Sequence, residues 1–187
     1  MTVVARVHRW LLRAVLFLSV VLVATGLWLI VGYRPSSDEA WNDIWLLSSD
    51  QWPRRAHRLA GALLTYAAGF LMLLSLVLGI GGRRWGRTAG AVGIAVLAVV
   101  GGFTGFLLPW DQLALWAVTV GTNMRGMWPA AFGDSVRFVI LGGTEVSQAT
   151  FRNWFLVHSV LLPVLAIGGA FLARRYPSRD KPTAPGT

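Results

Sequence analysis

Three histidines are the side chains of this 187-residue sequence best suited to bind a metal, and two of them sit where metal binding is plausible chemistry. His57 opens one long apolar run and His158 lies about one turn into another. His8 precedes the first run among arginines and reads as a solvated or headgroup residue. An ionisable group inside a membrane span is a functional-site candidate, because placing it in hydrocarbon is costly. Two neutral imidazoles at one depth, on non-adjacent helices, are what a six-coordinate haem iron requires, one axial nitrogen from each side. An imidazole in a span serves equally to bond a backbone carbonyl or a neighbouring helix, and the histidines alone leave both readings open. Zinc fits less well, since it takes three or four ligands and these spans hold no Cys, Asp or Glu.

The neighbouring residues bear on the choice. Arg54 stands one turn before His57, with Arg55 and Arg58 beside it. Haem propionates need cations at the rim, though interfacial arginines also snorkel to lipid headgroups. Gly26 lies in the outer half of the first span, and Gly101, Gly102 and Gly105 in the outer half of the third. A flat macrocycle between helices needs backbones free of a Cβ, and small residues at this spacing also serve ordinary helix packing.

These residues need elements to hold them, and composition says which. A hydrophobic fraction of 55%, a charged fraction of 13% and a mean hydropathy of +0.59 describe a membrane protein. Four apolar segments, about 10–32, 57–80, 88–109 and 154–173, have the roughly 20 residues that cross a bilayer of about 30 Å. The first is too long for a signal peptide and lacks a small-x-small cleavage site, so it reads as a retained helix. The expected fold is an all-α integral membrane four-helix bundle over residues 1–175, with a disordered, Pro-rich cytoplasmic tail over 176–187. Between the third and fourth helices, residues 112–124 and 135–142 are apolar but too short to span. They are expected as short amphipathic helices capping the outer face. Pro109 should end the third helix, and Trp110 sits where aromatic belt residues are expected.

The net charge of +9 belongs to the ends of the apolar runs. Arg6, Arg9, Arg13, Arg83, Arg84, Arg87, Arg174, Arg175, Arg179 and Lys181 gather on one side, with Asp180 as their one acid. On the other side seven arginines face seven acids. By the positive-inside rule both termini are cytoplasmic in a bacterial-type plasma (inner) membrane. This is a topology pattern and not a phosphate-tracking stripe, which argues against nucleic acid as a partner. The absence of cysteine excludes a thiolate-bound cluster and covalent CxxCH haem attachment.

Four runs together resemble cytochrome b, most closely the N-terminal half found as a separate subunit in the split type of oxygenic photosynthesis. They are TGLWLIVGYRPS (25–36), RRAHR (54–58), GGFTGFLLPWDQLALWAVTVGTN (101–123) and GGTEVSQATFRNWFLVHSVLLP (142–163). The resemblance implies that His57 and His158 are the paired axial ligands of the haem nearer the outer, positive side. It implies that Arg54 pairs with that haem's propionate and that its ring packs against Gly26 and Gly105. The loop from Trp110 to Gly143 corresponds to part of the outer quinol-oxidation pocket.

The departures are as informative. Fourteen residues past His57, where the family carries an inner-haem ligand, stands Leu71; the matching places past His158 are Leu172 and Ala173. The ring-contact glycine expected about fourteen residues before Gly26 is Leu12, and the arginine usual five residues before the fourth-helix ligand is Asn153. The inner site is therefore expected to be closed by apolar repacking. The resemblance implies a b-type haem electron-transfer subunit of a respiratory-chain, quinol-oxidising complex, with one haem b on the outer side and not catalytic alone. Its expected partners are membrane lipid, a C-terminal-half cytochrome b-like subunit that completes the quinol site, and a Rieske-type or c-type cytochrome acceptor. The alternative is a structural or assembly subunit that keeps the scaffold without redox function. An unrelated four-helix dihaem anchor is disfavoured by the Leu-Pro-Trp-Asp-Gln run, residues 108–112.

Overall fold

The computed structural model describes residues 3–46, 52–79, 85–123 and 134–175, and their regular structure is helical. Four crossings carry apolar stretches long enough to span a bilayer: Arg6–Val31, Trp52–Leu78, Thr88–Leu107 and Gln148–Phe171. They are α1 (Val3–Val31), α3 (Trp52–Gly79), α4 (Trp85–Leu107), and a fourth built from α7 (Gln148–Leu156), a π-helical turn (Val157–Leu161) and α8 (Leu162–Arg175). Three short helices lie between them: α2 (Ala40–Leu46), α5 (Gln112–Thr122) and α6 (Asp134–Leu141). The tail from 176, Arg83, Arg84 and Met124 lie outside the described residues, as do the side chains of Leu172 and Ala173.

The expected spans are all present, and all four helices begin earlier than the apolar runs read from the sequence. Arginine is a good helix former whose stem lies along apolar surface, so the basic flanks of α1 and α3 continue the helix. Pro53 falls in the first turn of α3, where its missing N–H has no intrahelical partner to lose. The fourth crossing starts six residues before the expected 154, at Gln148, because Ser147 and Thr150 form a capping box. Ser147 N–H donates to Thr150 Oγ1 at 2.9 Å, and that hydroxyl donates to the Leu141 carbonyl at 2.7 Å, tying α7 to α6.

Lateral packing runs from α1 to α3, from α3 to α4, and from α4 to the fourth crossing. One end of the bundle is closed by the short helices. Ala40, Leu107, Trp110, Ala114, Val118, Leu141 and Phe151 form its core, with Tyr33 and Trp154 packed against it. Helix α5 buries Ala114, Val118 and Thr122, one helical face, while Leu113, Trp116 and Val120 stay exposed. Asp111 caps α5 by accepting from Ala114 N–H at 2.8 Å. Pro109 ends α4 at Leu107, as expected, but Trp110 is no belt residue. It adopts φ +50° and is 8% exposed, its ring edge-on to Phe151 at 5.0 Å, because the chain reverses there to lay α5 over the bundle. The Tyr33 hydroxyl donates to the Leu108 carbonyl and fastens the end of α1 to the same corner.

At the other end Leu71, only 1% exposed, packs with Val15 and Ala91. A cavity of about 90 Å³ beside them is lined by His8, Leu12, Leu71, Ala91 and Ile94. His8, expected as a solvated or headgroup residue, lies within helix α1 and is half-buried at the edge of that cavity.

Candidate functional site

Helix α3 carries His57 and the π turn carries His158, and the bundle brings the two imidazoles face to edge with ring centroids 6.1 Å apart. That separation is close to the span of two imidazoles sharing one metal through nitrogen–metal bonds of about 2.0–2.1 Å. The π turn places the second ring. Its widened turn closes with Leu162 N–H bonded to the Val157 carbonyl, five residues back. Pro163 follows; it cannot donate to the Ser159 carbonyl and crowds it, which breaks the regular α ladder just there. An extra residue in the turn rotates His158 relative to a straight helix.

Each imidazole lies against a Thr-Gly pair on a helix without a histidine in this layer. His57 Nδ1 is 2.9 Å from Thr25 Oγ1, and His158 Nδ1 is 2.9 Å from Thr104 Oγ1. A Cβ at Gly26 would stand 3.3 Å from His57 Cε1, and one at Gly105 2.8 Å from His158 Cε1. The two predicted glycines therefore meet the predicted imidazoles directly, and at Gly105 no side chain fits without displacing the ring. Thr25 and Thr104 are 5% and 0% exposed. They were not picked out in the sequence, although each directly precedes a glycine that was.

Arg54 is half-buried one turn before His57 and near Arg58, without a carboxylate partner among the described residues. A half-buried cation of this kind is suited to an anion brought by a bound group. No set of three or more His, Cys, Asp or Glu is gathered at one point among the described residues, so the donor set is two imidazoles alone. That chemistry fits a haem, whose macrocycle supplies the remaining nitrogens, and does not fit a bare tetrahedral ion. Asn153, in the place of an expected arginine, reaches toward the Val139 carbonyl at 3.4 Å, while Arg152 is exposed.

The family model described as Cytochrome b/b6/petB matches residues 3–173. A cytochrome b6 of Cyanidium caldarium is 30% identical over 157 residues, covering 78% of this chain and 69% of that protein. A cytochrome b of Daucus carota is 31% identical over 159 residues, covering 82% of this chain and 39% of that protein. The match thus spans about two-fifths of a full cytochrome b. A chain of a solved hyperthermophilic respiratory Complex III superposes with a TM-score of 0.74 at 20% identity, covering 97% of this chain and 52% of that one, and so shares its fold.

Proposed function

The chain belongs to the cytochrome b/b6/petB family, and we propose that it is the b-type haem electron-transfer subunit of a quinol-oxidising, cytochrome bc-like membrane complex. It holds about one haem, between His57 and His158, in the bundle layer next to the short helices. The observation that carries this is the pair of imidazoles 6.1 Å apart on two crossings, each backed by a glycine where an added Cβ would press on the ring, at 3.3 Å for Gly26 and 2.8 Å for Gly105.

The bound haem would supply a one-electron couple. The protein's share is to present two nitrogens from α3 and the π turn, to hold Arg54 at the rim, and to keep water out. The second, inner site of the family is closed. Leu71 occupies the buried position where an imidazole would stand, and the cavity of about 90 Å³ beside it is far below the roughly 300–1,000 Å³ of small-molecule sites. With one haem, no second carrier bridges the other half of the bilayer, so the chain does not run a complete quinone cycle alone. Quinol is the substrate of a site shared with a C-terminal-half subunit, and a Rieske-type or c-type cytochrome takes the electron on the outer side. The excess of basic residues on the flanks that include both termini supports an orientation with both termini in the cytoplasm, in a bacterial-type plasma membrane.

The test is a haem count on purified protein. A reduced-minus-oxidised b-type spectrum at about one haem per chain, lost in His57→Ala and in His158→Ala, is the expected result. A stable protein that carries no haem would overturn the reading in favour of a scaffold subunit. Two haems per chain would overturn the closed inner site.

A further inference from the structure

We infer that Thr25 and Thr104 are positioning residues that set the tautomer of the two histidines, each accepting Nδ1–H so that Nε2 is left with its lone pair for a metal. The inference rests on the haem reading above and adds two residues to it. Its basis is a proton count. A threonine hydroxyl has one hydrogen to give. Thr25 Oγ1 lies 2.6 Å from the Val21 carbonyl and Thr104 Oγ1 lies 2.8 Å from the Val100 carbonyl, each four residues back on its own helix. A carbonyl can only accept, so each hydroxyl hydrogen is committed to the backbone. The contact of each Oγ1 with an imidazole Nδ1, 2.9 Å in both cases, then requires the ring nitrogen to be the donor. The Leu22 and Gly101 carbonyls, each three residues before its threonine, lie 3.3 and 3.2 Å from the same hydroxyl oxygens and likewise only accept, so the hydroxyl hydrogen stays on the backbone side. A neutral imidazole with its hydrogen on Nδ1 has its free lone pair on Nε2.

The arrangement occurs twice. On α1, Thr25 takes the nitrogen of His57 while Gly26 admits its Cε1; on α4, Thr104 and Gly105 do the same for His158. One hydroxyl in a span bonded back to its own helix is common and slightly unfavourable for the helix. Two of them, both fully inside the bundle and both aimed at the nitrogen opposite the one a metal needs, form a matched pair of orienting groups. Such partners fix the ring and raise the basicity of the ligating nitrogen. A more basic axial nitrogen favours the ferric state, so each threonine also holds the midpoint potential down.

The experiment uses the haem-loaded full chain with Thr25→Val and Thr104→Val, which keep shape and β-branching but remove the acceptor, and Thr25→Ser and Thr104→Ser, which restore it. Expected for the valine variants are a midpoint potential above wild type, a changed low-spin ferric electron paramagnetic resonance signature, and haem held about tenfold less tightly. The serine variants should return all three to wild-type values. Haem-loaded valine variants with unchanged potential and signature overturn the role of the threonines while leaving the haem reading intact. Serine variants that behave like valine also overturn it, since shape and not the hydroxyl would then be at work. If a valine variant does not accumulate, its serine counterpart and the other threonine's pair decide the matter. A wild-type chain that takes up no haem fails the underlying reading and the inference together, and is recognised by the absent b-type spectrum.

Discussion

A Cβ at Gly105 would come within 2.8 Å of His158, tighter than any side-chain contact normally allows, whereas one at Gly26 would stop at 3.3 Å from His57. The two glycines look alike in the sequence but should not respond alike. Overpacking of this kind costs about 1–3 kcal/mol, and at Gly105 it falls on the orientation of a proposed haem-ligating ring. Gly105→Ala is expected to lose most of its haem and Gly26→Ala only part, measured as the haem-to-protein ratio after purification. Arg54→Gln tests the rim. Both imidazoles remain, so haem still binds, but the loss of a nearby cation disfavours the reduced, more negative state. A lower midpoint potential is expected in a redox titration, and an unchanged one would remove Arg54 from the site. The histidines, glycines and Arg54 could be singled out in the sequence because the runs around them resemble cytochrome b; the histidines and glycines alone left ordinary helix packing open. Thr25 and Thr104 were not. A threonine in an apolar helix ordinarily satisfies itself on its own backbone, both of these do so, and only the packed bundle shows what the oxygen accepts in return.

At the scale of elements, hydropathy located the four crossings but could not place their ends, because capping and turn chemistry set those. The Ser147–Thr150 box advances the fourth crossing to Gln148, and Pro163 is the visible trace of a π turn that periodicity alone would read as continuous helix. Helix α2 went unread as well, since its seven residues are too few to show a helical period between polar flanks. What holds it is Asp43, 2% exposed, bonded to Arg34 Nη2 at 2.6 Å and to Arg34 N–H at 2.6 Å, with Glu39 pairing the same guanidinium at 2.8 Å. The hydrogen bond from the Arg34 side chain lowers the Asp43 pKa, against the opposing effect of burial. A lowered folded value means that the clamp's contribution is complete above the ordinary carboxylate range near pH 4 and is lost as pH falls through the lower folded value. Acid should therefore release α2 below about pH 4. Asp43→Asn should release it at neutral pH, read as faster amide exchange over Ala40–Leu46. In the layer opposite the histidines, Leu71→Ala removes a side chain that is 1% exposed. Truncations of this type cost about 2–5 kcal/mol in water. In lipid, packing rather than water exclusion is lost, so the low end of that range is expected, as a drop in melting temperature in detergent without a second haem.

The whole molecule leaves much of its fourth crossing uncovered. Leu156, Val160, Leu161, Val164, Leu165, Ile167 and Phe171 are all exposed, and beyond Phe151 no residue of this crossing up to Phe171 is fully buried, unlike the stretches of the other three. In a bilayer such a face carries no penalty, because lipid tails are as apolar as leucine, so the fold does not require a protein neighbour there. Function does. The match covers 39% of the Daucus carota cytochrome b, and the proposed quinol site depends on residues from the C-terminal half. Under the proposed function the haem and the substrate site have separate requirements: the first would be met within this chain by His57 and His158, the second only in an assembly. The two can be separated kinetically. Dithionite, which needs no shaped site, should reduce the haem of the isolated chain fully. A quinol without its positioning groups should reduce it at least roughly a hundredfold more slowly than in a complex reconstituted with the C-terminal-half subunit. Equal quinol rates with and without that subunit would place the whole oxidation site within these four crossings, and the partner's role would then be structural.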